Sequence, residues 1–175
     1  MAARTFSSFL FPLALLCASP LLVGSAGFRT NFDERLLEAQ NRARADMGQR
    51  PLEWNAQLAK DAKLWADKLA ETGRFEHSPD EPGMEPQGEN LWAGTPGAYQ
   101  PETMIGLWVA EKRDYKPGVF PNNSRSGDVA NVSHYTQVVW RETTHVGCSM
   151  SRGKREEVLV CRYSTPGNVI GQRPV

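Results

Sequence analysis

Helices that precede a few late strands, with no strand–helix–strand alternation, predict an α+β domain with a small antiparallel sheet. Two observations carry this. Apolar residues recur at helical spacing twice in the first half of the chain, and the late stretch THVGCSMSRGKREEVLVCRYS reads as two strands around a turn. The absence of βαβ units removes the doubly wound alternative.

The chain opens MAARTFSSFLFPLALLCASPLLVGSAG, with Arg4 in a short basic start, an apolar run from Phe9 to Val23, and the small residues Gly24, Ser25 and Ala26. This predicts a secretory signal over residues 1–26, removed after Ala26, and a single domain over residues 27–175. Pro12 and Pro20 interrupt the run, which is too short for a membrane span, and Leu16 before Cys17 does not suit a lipoprotein anchor. The expectation is therefore a secreted or periplasmic protein with no stable membrane anchor.

Asn31 can cap a first helix with Glu34 three residues on, and Phe32, Leu36, Ala39, Ala43 and Met47 form its apolar face until Gly48. A second helix follows Asn55, with Leu58, Ala62, Trp65, Ala66 and Leu69 on one face and Gly73 just past its end. Ser78 to Pro101 is rich in proline and glycine and reads as loop, with a short strand around Gly88–Trp92. Pro101 and Glu102 start a third helix, whose stripe Met104, Trp108, Glu111, Tyr115 puts a carboxylate in line with aromatics. In NVSHYTQVVW, a short helix, His134, Gln137 and Arg141 share a polar stripe beside Tyr135, Val138 and Val139. A hairpin turning at Gly153-Lys154 is expected to set Cys148 opposite Cys161 as a disulfide contributing roughly 2–3 kcal/mol.

Charge narrows the function classes. The chain has 20 basic and 20 acidic residues, and losing Arg4 with the signal leaves 19 against 20, a net charge near −1. No basic stripe is present to neutralise phosphates, so nucleic acid is not an expected partner.

Once Cys17 is removed the candidates for chemistry are few. The three histidines are His77, His134 and His145. His77 ends RFEHS, Glu89 sits in GENLW, and with Glu111 and His134 they make two imidazoles and two carboxylates, a set that suits zinc or another divalent cation, with His77 and His134 as its metal ligands. His145 beside the hairpin reads as a surface or strand-end residue, and Trp54, Trp65 and Trp140 as core. Neither H-E-x-x-H, G-x-S-x-G nor a phosphate-cradling glycine loop occurs, and no organic cofactor is expected. Asn122 and Asn131 head glycosylation acceptor triplets, and a glycan on Asn131 would crowd His134.

EHS, GENLW, LWVAEKRDY, SHYTQVVW, VGC and VCRYSTPGN, in that order, resemble the CAP superfamily of cysteine-rich secretory proteins, antigen 5 and pathogenesis-related 1 proteins. The resemblance spans roughly Phe32 to Ile170. It implies a three-layer α-β-α sandwich with a central cleft holding two histidines and two glutamates, which by motif are His77, Glu89, Glu111 and His134. Ser133 stands where the motif usually has glycine, Gln40 where many members have histidine, and Thr165 where a proline is common. The lack of further cysteines resembles the single-domain bacterial members. Members have been linked to lipid or sterol binding, defence and signalling, with no single shared activity. The expected function is thus a non-enzymatic binding module for an extracellular protein or a small apolar or lipid ligand. The competing expectation is a metal-assisted hydrolase in which Glu89 or Glu111 acts as general base.

Overall fold

A computed structural model describes residues 31–79, 83 and 85–175. Residues 1–26, expected to form a signal, and Cys17 among them, lie outside the described residues. The first helix, α1, is Asn31–Ala45, followed by a two-residue strand β1, Glu53–Trp54, and a long helix α2, Ala56–Thr72. After the proline-rich loop come β2, Gly88–Gly94, and α3, Pro101–Ala110, which tightens into a 3-10 turn at Glu111–Arg113. A second 3-10 turn, Val129–Asn131, leads into α4, Ser133–Val138, and the strands β3, His145–Arg152, and β4, Glu157–Ser164, close the chain.

Local chemistry sets the helix ends. The Asn55 side chain accepts hydrogen bonds from the Gln57 and Leu58 amides, and Gly73 adopts the left-handed conformation that stops α2 (φ 68°). Pro101 occupies the first turn of α3, where its missing N–H is not needed.

The sheet has the order β1-β3-β4-β2. Its three long strands pair antiparallel, as expected, but β1 adds a parallel edge: Glu53 pairs with His145 and Trp54 with Val146. Two residues carry no periodicity, so nothing in the sequence marks β1. Cys148 and Cys161 face each other, with Cα atoms 4.1 Å apart, and form the disulfide. The hairpin centre is corrected by one residue. Cys148↔Cys161 pairing places it between Lys154 and Arg155, whereas a turn centred on Gly153-Lys154 would oppose Cys148 to Leu159.

Side chains of β4 alternate between two cores, as a strand buried on both faces requires. Val158 and Val160 join Leu91 against Ala62, Ala66 and Leu69 of α2. Leu159, Cys161 and Tyr163 face the opposite way, into a cluster with Leu36 and Ala39 of α1, Met104 and Trp108 of α3, and Tyr135 and Val138 of α4. The sheet thus lies between α2 on one side and α1, α3 and α4 on the other, a three-layer α-β-α sandwich. Among the described residues no helix is long and apolar enough to cross a membrane.

Two expectations about polar positions change. Gln137 is not on a solvated stripe: it is 2% exposed, accepts from the Gly167 amide and donates to the Thr143 hydroxyl. Glu111, the first residue of the 3-10 turn, stays beside Trp108 through His134 but is half-buried and not sealed in the core.

Candidate functional site

The four candidate residues form two imidazole–carboxylate pairs. Glu89 belongs to the α2 side of the sheet, two residues before Leu91. Its Oε1 lies 2.6 Å from His77 Nδ1 and accepts from the Ser78 amide at 3.1 Å, and its Oε2 lies 3.0 Å from Arg162 Nε. The Glu89 side chain is 7% exposed against 66% for His77, so the buried partner is the acid and the histidine covers it.

The second pair joins the 3-10 turn to α4. Glu111 Oε1 lies 2.6 Å from His134 Nδ1, while Oε2 accepts from the backbone amides of His134 and Tyr135, each at 3.0 Å. Those amides are orphan donors of the first turn of α4, and no side chain of the preceding residue caps them. Glu111 is therefore a capping carboxylate contributed from 23 and 24 residues before the two amides in sequence, on the end of the helix that favours negative charge. The His134 ring stacks nearly parallel on Trp108, and the His134 carbonyl accepts from Asn90 Nδ2 at 3.1 Å. Behind it runs a buried chain in which Asn90 donates to the Tyr163 hydroxyl and Tyr163 donates to Gln40 Oε1 at 2.7 Å. Gln40 is thus a core residue linking α1 to β4.

A cleft of about 960 Å³ opens beside the first pair. Its wall includes Leu64, Trp65, His77, Glu89, Gln137 and Arg162, while Glu111 and His134 are not part of that wall. Trp65, expected in the core, packs on it with one side and lines the cleft with the rest, its indole N–H donating to the Glu76 carbonyl at 3.0 Å. Arg162 and Gln87 are cleft residues that the sequence reading did not select. A signal existed for Arg162, a charge at the next alternate position after Val158 and Val160 on a buried strand face. His145 stands at the start of β3, its Nε2 3.9 Å from Glu53, as a strand-end residue.

Each imidazole commits Nδ1 to its own glutamate, which leaves Nε2 as the remaining ring donor for a metal. Among the described residues no group of three or more His, Cys, Asp or Glu side chains is placed to hold an ion. A closed, fully protein-ligated metal centre therefore does not fit these residues.

Electrostatics bind the first pair more tightly than either member alone. The hydrogen bond to Glu89 raises the His77 pKa above its ordinary 6.5, outweighing burial. For Glu89, burial by itself pushes the carboxyl up, but the His77 hydrogen bond, the Arg162 charge and the Ser78 amide together hold it below its ordinary 4.5. A histidine raised on folding stabilises fully below 6.5 and loses that contribution as pH climbs through the raised value; a carboxyl lowered on folding stabilises above 4.5 and loses it as pH falls through the lowered one. The pair should hold best between about pH 4.5 and 6.5. Thermal melts of His77→Gln across pH are expected to lose this local maximum; a profile superimposable on the wild type would count against the pairing.

Residues 37–163 match the model of the cysteine-rich secretory protein family. Among curated relatives, the chain is 34% identical to a pathogenesis-related protein PR-1 type of Sambucus nigra, over 94% of this chain and 95% of that one. It is 36% identical to pathogenesis-related protein 1C of Nicotiana tabacum, over 96% and 94%. Among solved structures, NaASP2 with Zn2+ superposes with a TM-score of 0.68 at 21% identity, covering 83% of this chain and 88% of that one. BmVAL-1 gives the same TM-score and identity over 85% and 84%. With the family model covering most of the chain and relatives above 30% identity along nearly its whole length, the chain belongs to the cysteine-rich secretory protein family.

Proposed function

We propose that this protein is an exported, non-enzymatic binding module whose cleft beside His77 and Glu89 takes a small ligand with an apolar body or a segment of an extracellular partner. One observation carries the reading: both glutamates are engaged as ionised partners of basic groups and backbone amides, with Glu89 Oε2 facing the Arg162 guanidinium at 3.0 Å instead of an open water position. Glu89 is held by His77, the Ser78 amide and Arg162, and Glu111 by His134 and two helix amides. A general base must instead hold its proton-accepting oxygen against the substrate or a reacting water. The test combines two measurements. A neutral environment-sensitive dye should bind the wild type and lose affinity when Leu64 and Trp65 on the cleft wall are both replaced by alanine. Peptide and ester substrates should show no turnover above background. Metal-dependent hydrolysis that falls a hundredfold in Glu89→Gln or Glu111→Gln would establish the hydrolase instead.

Glu111→Gln separates the two readings in a second way. As a cap it keeps one acceptor oxygen but loses its charge, so a loss of about 1–2 kcal/mol in urea melts is expected with no change in dye binding. An unaltered melt would remove the capping role.

Zinc uptake is supported as a weaker, exchangeable property, because carboxylate-bound Nδ1 is how metal-binding histidines are commonly held and NaASP2 was solved with Zn2+. Binding through His77 and His134 should fade as the medium is acidified through the histidine range, since protonated imidazole cannot coordinate. The His77→Ala/His134→Ala double variant should abolish it; full zinc binding by that variant would place the ion elsewhere.

A further inference from the structure

Buried polar side-chain atoms normally find a partner. Among the described residues seven have no hydrogen-bond partner, and three of the seven line the cleft beside His77: Gln87 Oε1, which has no partner of any kind, and Glu89 Oε2 and Arg162 Nε, which face each other as an ion pair at 3.0 Å. Arg162 is the most unusual. Its side chain is 15% exposed, and its Nε lies 3.0 Å from Glu89 Oε2 without the alignment of a hydrogen bond. No N–H of this guanidinium is hydrogen-bonded to another described residue. A shielded guanidinium carries five donors in a flat fork that matches a carboxylate in two parallel bonds.

Gln87 supplies the complementary group. Its Nε2 donates to Asp61 Oδ2 at 2.8 Å, and because a carboxylate accepts only, that bond fixes which end of the amide is oxygen. The orphan Oε1 is therefore an acceptor that needs a donor. Gln87 is two residues before Glu89, whose partner across the sheet is Arg162, so the acceptor and the guanidinium belong to the same side of the sheet. Around them stand rigid apolar surfaces, Trp65, Pro86 and Pro166, with Leu64 at the rim, 72% exposed.

We propose that the cleft recognises an N-acylated apolar amino acid, a chemistry that a free peptide C-terminus also carries: its carboxylate on Arg162, its N–H on Gln87 Oε1, and its side chain against Trp65 and the prolines. A cavity of about 960 Å³ is at the upper end of the range for small-molecule pockets in general and has room for this ligand. Glu89, beside Arg162, disfavours a second negative charge in the ligand. The inference rests on the binding-module reading and narrows it to one ligand class.

Calorimetric titration of the full chain with N-acetyl-phenylalanine, its uncharged carboxamide, and 3-phenylpropanoate, which lacks the N–H, tests it. The acid is expected to bind at least tenfold tighter than the carboxamide and several-fold tighter than 3-phenylpropanoate. Arg162→Met should erase the first difference and Gln87→Leu the second. A pentapeptide ending in phenylalanine with a free carboxylate that binds as tightly as the small acid supports the proposal with a peptide end as occupant; binding tenfold weaker supports it with a free acid. Equal affinity for acid and carboxamide in the wild type overturns it, a result that does not depend on whether either variant folds. If neither probe binds while the neutral dye still does, the proposal fails and the binding-module reading stands.

Discussion

Gly147→Ala is expected to destabilise the protein by about 4 kcal/mol, beyond ordinary overpacking, because the atoms it would meet cannot turn aside. A Cβ at this position would lie 2.2 Å from the Ala59 nitrogen, 2.5 Å from the Asn55 carbonyl oxygen and 2.7 Å from the Leu58 carbonyl carbon. All three are backbone of the first turn of α2, and that turn is fastened to the sheet on both sides of the contact. The Asn55 amide donates to the Val146 carbonyl at 2.8 Å, and Ser149 Oγ donates to the Ala59 carbonyl at 2.8 Å. Relief therefore requires α2 to lift from β3, opening the core of Ala62, Ala66 and Leu69 and displacing Leu64 and Trp65 from the cleft wall. Urea melts should show the loss, and dye binding should weaken in the fraction that stays folded. A variant melting with the wild type would mean that the helix and sheet are not held this closely.

The same residue shows which parts of the fold the sequence exposes. A glycine inside a strand signals close backbone approach, and the ends of α2 were legible because Asn55 and Gly73 act on their immediate neighbours. Residue pattern alone marked the quartet only weakly, and the family motifs around EHS, GEN and SHYTQVVW singled it out; the structure pairs His77 with Glu89 and His134 with Glu111. What the sequence withheld depends on distant partners. Gln137 reads as a surface residue until Gly88 and Gly167 close around it; an added Cβ at either would sit within 3 Å of its amide. The two residues of β1 become a strand only because β3 lies beside them. The hairpin centre was missed by one residue because the Gly153–Glu156 segment offers several turn positions, and the register is set by strand pairing and the disulfide.

Arg44 is the extreme case, a charged residue of α1 that residue type alone would leave in solvent and the fold buries completely. Its Nε donates to the Arg50 carbonyl at 2.7 Å, one terminal nitrogen to Val138 and Trp140 at 3.0 and 2.8 Å, and the other to Thr143 at 3.0 Å. Burial pushes the guanidinium down from its ordinary value to about 10, so it remains charged at neutral pH. For a base lowered on folding the sign is unfavourable: the charge opposes folding below about pH 10, and the penalty is relieved as pH rises from there toward the ordinary guanidinium value. If desolvation dominated, an apolar replacement would stabilise the protein, as happens with some buried charges. Here the partners decide otherwise. Arg44→Met would strand three carbonyls, those of Arg50, Val138 and Thr143, and take one of two donors from Trp140, whose oxygen still accepts from the Thr143 amide at 3.2 Å; a stranded buried carbonyl costs about 1–3 kcal/mol. After credit for the removed charge, a net loss of about 4 kcal/mol is expected for Arg44→Met, and about half of that for Arg44→Lys, which keeps a cation but not the fork. Because Glu111 holds the other end of α4, Arg44→Met combined with Glu111→Gln should lose an amount different from the sum of the two, the mark of residues acting on one element. A methionine variant as stable as the wild type would show that desolvation outweighs the four hydrogen bonds, and that α4 is held by its apolar face alone.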